Sequence, residues 1–256
     1  MFFVWLLSCG YWSFQLRFFM MTFELRHING WSYYYLPELE EAGIVHGFFT
    51  KRSPALSLFK DRRNTFRGLF SIKDTVIMDQ EHGDEIHVIK DGERPRRGDG
   101  VILVERNVAG IIKTADCLAV IVVEPDYPMA AIVHAGWRGT AQKITQKAVE
   151  KMVRLGAQRD KMTALFGPSI RSCCYEVGED VCDIFKKEGF SEEVFKKKNN
   201  SVHLDLRQAN AELLTEAGVD RIYDTGLCTC CTDGIFASYR RGDRALRQIN
   251  FVSLKG

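Results

Sequence analysis

The chain has 256 residues, of which 46% are hydrophobic and 27% charged, with a formal net charge of +2. That length holds one large domain or two small ones around a continuous core, and the composition excludes a fibrous or disordered chain. The basic residues are scattered except for Arg62-Arg63, Arg94-Pro95-Arg96-Arg97 and Lys196 to Lys198, short runs that read as solvated faces, so no nucleic-acid partner is expected.

The eight cysteines form no framework suited to disulfides in a chain of this length, and point to a reduced, cytoplasmic protein. Residues 1–21 are rich in Phe, Trp and Leu, with Arg17 as their one basic residue. They lack the basic start of a signal peptide, and Ser8, Gly10, Ser13, Gln15 and Arg17 interrupt them too often for a stable membrane span, which needs about 20 apolar residues. The expectation is an apolar extension outside the fold, with residues 22–256 forming a single domain.

From Thr22 onward the pattern is that of an α/β protein. Trp31 to Tyr35 reads as a strand, Pro37 to Ala42 as a short helix with Pro in its first turn, and Ile44 to Thr50 as a strand. Ser53 to Phe70 mixes Pro, Gly and basic residues without period and reads as a loop. Brief strands are expected at Thr75–Met78 and Ile86–Ile89, around the polar stretch Asp79 to Asp84, then at Val101–Val104 and Val108–Ile112. Two runs rich in β-branched residues, Leu118–Val123 and Met129–Val133, are split by Glu124-Pro125-Asp126-Tyr127-Pro128 and read as a hairpin. Antiparallel pairing puts Cys117, just before the first run, beside His134, just after the second.

Gly136 to Gly139 then make a turn, and Thr140 to Leu155 reads as one helix with Ala141, Ile144, Ala148 and Met152 on a common face. Thr163–Phe166 is the next expected strand, followed by a helix over Gly178–Lys187, an exposed charged stretch over Lys186–Asn200, and a helix from about Asp205 that stops at Gly218. Ile222–Tyr223, Phe236–Tyr239 and Ile249–Leu254 are further strand expectations. Strands and helices that do not strictly alternate favour a mixed-sheet layered α/β (α+β) fold.

Three residues at strand or turn boundaries, His82, Cys117 and His134, are candidates for one metal site, since imidazole and thiolate suit zinc or copper. Their spacing makes no local motif, so each also reads as an ordinary packing residue. His27, His46, His87 and His203 read as surface or hydrogen-bonded core histidines. A rival set is Cys173, Cys174, Cys228, Cys230 and Cys231, which reads as core thiols because its C-C and C-x-C-C spacing fits closed zinc sites poorly.

Taken in order, Gln80-x-His82-Gly83, Gly98-Asp-Gly100, Thr114-Ala-Asp-Cys117, His134-Ala-Gly-Trp-Arg-Gly139, Gly167-Pro-x-Ile170, Cys174-Tyr-Glu-Val177, His203-Leu-Asp-Leu206 with Asn210, Cys228-Thr229 and Ser238-Tyr-Arg-Arg241 resemble the successive motifs of the YfiH/laccase-domain family. The resemblance spans about Ile44 to Leu254. It implies a YfiH-like α-β-β-α sandwich and a zinc held by His82, Cys117 and His134. It also implies phosphorolysis of adenosine, inosine and S-methyl-5'-thioadenosine to free base and ribose 1-phosphate or its methylthio analogue, with deamination of adenosine to inosine. The family was once described as polyphenol oxidases, so copper is the alternative metal.

Two departures stand out. Lys51-Arg52-Ser53-Pro54 replaces the family's Arg followed by a Gly-rich loop, and Ala245-Leu246-Arg247 replaces its Thr-Gly-Arg.

A purine nucleoside and phosphate are therefore the expected partners. Three protein ligands leave a fourth position open, as in catalytic zinc sites. Asp116 and Glu176 are the candidates for proton transfer. Lys51, Arg52, Arg138, Arg240 and Arg241 are the candidate phosphate clamps, with salt-bridging at turns as the plainer role of the arginines. If Lys51 stands for the family's Arg, phosphate orientation weakens and deamination is favoured over phosphorolysis. The alternatives are a metal-free hydrolase with Cys117 as nucleophile, a copper oxidoreductase, and a binding protein.

Overall fold

A computed structural model describes residues 22–51, 53, 62–232 and 234–256. The apolar extension 1–21 and the clamp candidate Arg52 lie outside the described residues. The chain opens with strands β1 (Glu24–Ile28), β2 (Trp31–Tyr35) and β3 (Ile44–Phe49), with helix α1 (Pro37–Glu41) between β2 and β3. Helix α2 (Arg62–Phe70) precedes β4 (Asp74–Ile77), β5 (Ile86–Ile89), β6 (Gly100–Leu103) and β7 (Val108–Thr114). The hairpin β8 (Leu118–Glu124) and β9 (Met129–Ala135) is followed by helices α3 (Trp137–Ala141) and α4 (Ile144–Arg154) and by β10 (Thr163–Phe166). The last third carries β11 (Glu176–Val177), α5 (Glu179–Lys187), β12 (Phe195–Lys198), β13 (Ser201–Leu204), α6 (Leu206–Glu216), β14 (Arg221–Asp224) and β15 (Gln248–Leu254).

Two six-stranded mixed sheets run in the orders β1-β2-β3-β15-β7-β4 and β14-β10-β8-β9-β6-β5, and a small third sheet is ordered β11-β13-β12. Alternation along the strands decides the layering. Ala119, Ile121 and Val123 of β8 join Ile44, Phe48, Ile112 and Val252 of the first sheet in one buried cluster between the sheets. Leu118, Val120 and Val122 face the other way, onto Ile144, Ala148, Met152 and Leu214 of α4 and α6. On the far side of the first sheet, Phe66 of α2 packs on Tyr33, Phe49 and Phe251. The result is the expected α-β-β-α sandwich.

The hairpin pairs Leu118 with Ala135 and Ala119 with His134, so Cys117 and His134 emerge at one edge. Helix α6 starts where the Asp205 carboxylate accepts from the Gln208 N–H, an N-cap that satisfies one otherwise orphaned donor. It stops before Gly218, at φ +82°.

Besides forming strands β1, β11 and β13, which the sequence reading did not anticipate, the structure departs from that reading in four places. Ser53–Phe70 is not wholly a loop, because Arg62–Phe70 is helical and buries Phe66 on the first sheet. The helix expected over Thr140–Leu155 is two helices, broken at Lys143, whose backbone is left-handed at φ 63°. Within the charged stretch Lys186–Asn200, Phe195–Lys198 pairs with β13 as an edge strand, where exposed lysines are a common guard against further pairing. Phe236–Tyr239 is not a strand. Its backbone is satisfied by side chains, with Gln248 Oε1 accepting from the Ala237 N–H, Asp243 Oδ2 from the Ser238 N–H, and the Arg241 guanidinium donating to the Phe236 carbonyl.

Candidate metal centre

Two connections and the end of one strand, at one edge of the sandwich, build the centre. His82 lies on the β4–β5 connection and Cys117 on the β7–β8 connection, both of which pass from the first sheet to the second. His134 lies near the end of β9. Their ligand atoms are within 4.8 Å of one another, with His82 exposed, Cys117 half-buried and His134 buried. The two imidazoles meet edge to face, with centroids 4.8 Å apart.

His82 itself has a left-handed backbone, φ 59°, a strained choice for a residue with a β-carbon. Asp99, 1% exposed, offsets that strain. Its carboxylate accepts from the backbone N–H groups of Glu81, His82 and Gly83 at 3.0, 3.0 and 2.9 Å and from His134 Nδ1 at 2.7 Å. The last bond leaves His134 Nε2 free to bind a metal, the arrangement by which a carboxylate commonly orients a metal-binding histidine. The sequence reading quoted Asp99 within its Gly-Asp-Gly motif and gave it no role.

The two glycines of the His134–Gly139 motif have steric reasons. A β-carbon on Gly136 would stand 3.1 Å from Cys117 Sγ, and one on Gly139 would stand 2.8 Å from the Gly83 carbonyl. Side chains there would crowd the thiol and push α3 off the loop that carries His82.

Electrostatics tune the set before any metal arrives. Burial alone would push the Cys117 thiol up, but hydrogen bonds to His134 and His82 outweigh it and bring the thiol down to about 6. Burial would likewise lower His134, but Asp99 and Cys117 raise it to about 9. Asp99, which burial would raise, is held low by His134 and the N–H groups of Gly83 and Glu81. The donors fit zinc: a thiolate, an imidazole fixed by Asp99, and a second imidazole on the solvent side. They fit electron-transfer copper less well, since that centre takes a weak axial Met. Met129 pairs with Glu124 at the opposite end of the hairpin.

The centre opens into a cleft of about 690 Å³, within the usual range for small-molecule sites. Aromatic Trp137, Tyr175 and Tyr239 and cationic Lys113, Arg138, Arg240 and Arg247 line it. Arg138 lies over the Trp137 ring at 4.4 Å, and Arg240 over Tyr175 at 5.5 Å while donating to the Glu176 carbonyl. Burial raises the Tyr175 phenol above the ordinary tyrosine range, so it stays a neutral donor.

Asp116, left-handed at φ 85°, lines the cleft. Its two oxygens accept from Thr229 Oγ1 at 2.6 Å and the Arg240 N–H at 2.7 Å. Glu176 is exposed on β11 and is not among the lining residues. Arg241 donates to the carbonyls of Thr229, Cys230 and Phe236 and to Asp243. Lys51 Nζ sits 3.7 Å from the same Asp243 and does not line the cleft. Lys113, Tyr175, Trp137 and Tyr239 were not singled out from sequence. Trp137, Tyr175 and Tyr239 fall inside the quoted motifs and Lys113 beside one, and position in a motif carries no information about the direction of a side chain.

A layered α/β sandwich with a His-Cys-His cluster at the mouth of a cation-lined cleft is thus the class of protein defined by fold and site. The chain belongs to the family described as multi-copper polyphenol oxidoreductase laccase, which matches residues 57–255. It is 38% identical over 173 residues to a purine nucleoside phosphorylase of Deinococcus radiodurans, a match covering 67% of this chain and 66% of that protein. It is 35% identical over 185 residues to adenosine deaminase RL5 of an unknown prokaryotic organism, covering 66% of this chain and 71% of that protein. The crystal structure of Bacillus licheniformis hypothetical protein YfiH superposes with a TM-score of 0.80 at 28% identity, over 90% of this chain and 99% of that one.

Proposed function

We propose that the protein is a zinc enzyme of purine nucleosides, cleaving adenosine, inosine and S-methyl-5'-thioadenosine by phosphorolysis and deaminating adenosine, in the cytoplasm. The observation that carries this reading is the convergence of His82, Cys117 and His134 on a cleft lined by both aromatic rings and cations. The names of the relatives support the substrate class. Residues 22–256 act as one catalytic domain in this reading. When bound by those three residues, zinc supplies Lewis acidity at neutral pH.

The chain's own groups do the rest. Trp137, Tyr175 and Tyr239 offer faces and edges to a planar purine. Arg138, Arg240 and Arg247 supply the charge that a phosphate dianion needs, and a guanidinium can hold two of its oxygens in one plane. In phosphorolysis a phosphate oxygen bonds C1′ as the bond to the purine nitrogen breaks, and the departing base takes a proton. Alignment of the dianion is therefore worth most. Asp116 positions Arg240 through its backbone N–H. Lys51 acts at one remove, through Asp243 and the loop that Arg241 braces.

The test is metal content followed by turnover of adenosine with and without phosphate, before and after chelation. Stoichiometric zinc, and loss of both adenine and inosine release on chelation, are expected. Full activity in metal-free protein would overturn the zinc reading. It would favour the alternative in which Cys117, drawn to about 6 beside His134, is a thiolate nucleophile.

A further inference from the structure

Outside the cleft, four cysteines from two loops meet. The Sγ atoms of Cys173, Cys174, Cys228 and Cys231 all lie within 4.8 Å of one another. Cys173 is 3.6 Å from Cys228 and 3.2 Å from Cys231, and Cys174 is 3.0 Å from Cys231. As a set these are not core thiols, because Cys173 and Cys231 are exposed and only Cys228 is buried. Nor are they disulfides, since all four are free and an S–S bond is about 2.05 Å long.

We propose that Cys173, Cys174, Cys228 and Cys231 form a second, structural zinc site, which ties together two loops beside the catalytic cleft. Four thiolates around zinc, each about 2.3 Å from the ion, make a tetrahedron with edges of about 3.8 Å, close to the spacing found here. Cys228 and Cys231 stand in the C-x₂-C relation of zinc-binding turns, which the intervening Cys230 conceals in the sequence. The backbone N–H groups of Cys231, Arg171 and Cys230 all point to Cys228 Sγ. That sulfur, which also accepts from Cys173 Sγ, is an acceptor, as a coordinating thiolate would be. Cys173 and Cys174 sit on a tight turn closed by bonds from the Cys174 and Tyr175 N–H groups to the Arg171 carbonyl at 2.9 and 3.0 Å. Four protein sulfurs leave no open position, which makes the site structural rather than catalytic.

The site joins segments that follow β10 and β14, and those segments already touch. The Thr229 N–H donates to the Ser169 carbonyl at 3.0 Å, and the Ile170 N–H to the Asp116 carbonyl at 2.8 Å. Thr229 Oγ1 in turn holds Asp116. A zinc clasp here fixes Tyr175 on one loop against Thr229 and Arg240 on the other, which both bond Asp116 of the β7–β8 connection.

The inference does not depend on the nucleoside chemistry, and metal stoichiometry separates the two sites. Protein purified with zinc under reducing conditions is expected to hold roughly two equivalents, with roughly one in Cys117→Ala and one in Cys173→Ser/Cys231→Ser. If the latter variant keeps the full zinc content of the parent, the second site does not exist. If it fails to fold, alkylation of the parent protein decides. Cys173 and Cys231 should resist iodoacetamide when zinc is bound and react after chelation, as read by peptide mass spectrometry. Equal labelling in both states, or a parent mass lowered by disulfide formation, would also overturn the site. The full zinc content of the parent in Cys117→Ala, with none in the double variant, would count against the catalytic centre alone.

Discussion

Asp99 organises the proposed metal centre without being one of its ligands. One carboxylate sets the His134 tautomer and collects three N–H groups of the loop that carries His82. Asp99→Asn, nearly isosteric, removes the charge and one acceptor. Zinc affinity should fall by about 10- to 100-fold, measured by competition with a chromophoric chelator, while the circular dichroism spectrum is retained. His46 illustrates a different use of imidazole. It is buried between the sheets, accepting from the Leu36 N–H through Nε2 at 2.9 Å and facing the Ile44 carbonyl through Nδ1 at 3.0 Å. Burial lowers it from 6.5 to about 4. The unfolded chain therefore binds a proton that the folded one refuses, and stability falls as pH drops from about 6.5 to about 4, by roughly 3 kcal/mol at full effect. Urea denaturation across that window should show the slope, and His46→Gln should flatten it. The sequence marked His46 as structural and His82, Cys117 and His134 as candidates, because residue type and strand-end position suffice for that. Asp99 stayed unassigned because its partners at 81–83 and 134 are joined to it only by tertiary packing.

At the scale of elements, the hairpin of β8 and β9 was legible because two runs of β-branched residues flank a Pro-bounded turn. The break between α3 and α4 was not. Lys143 carries the left-handed backbone where Gly or Asn would have signalled it, and the apolar spacing continues across the break. Relieving the β-carbon penalty predicts that Lys143→Gly stabilises the protein by about 1 kcal/mol, whereas Lys143→Val destabilises it; chemical denaturation of the pair checks both signs. Across the break, Asn210 of α6 donates to Thr140 Oγ1 of α3 at 3.0 Å and accepts from Thr145 Oγ1 of α4 at 2.5 Å. The two short helices are thus fastened to the layer by a buried polar contact as well as by their apolar faces. The β12 strand was missed for a related reason: on an edge, charged side chains and strand pairing coexist.

Across the whole molecule, strand order was the least legible feature. The C-terminal β15 inserts between β3 and β7, pairing residues 248–254 with partners some two hundred and one hundred and forty positions earlier, and no local pattern specifies that. The same topology bears on the metal centre. His82 and Cys117 lie on the two crossings from the first sheet to the second, and His134 on the inner hairpin, so the three donors converge only when both sheets have formed and docked. Long-range pairing of this kind is slow, and ligands that meet at its end contribute little to the folding transition state. Zinc should then leave the refolding rate nearly unchanged and slow unfolding instead. Stopped-flow experiments on zinc-loaded protein and Cys117→Ala would show this as a shifted unfolding limb beside a common refolding limb. Equal unfolding rates, or a refolding limb that moves with the metal, would place the centre early on the pathway. A late-forming centre makes the ion a kinetic lock: once seated, it lengthens the lifetime of the native sandwich, and while the chain is still assembling it has no complete site in which to lodge.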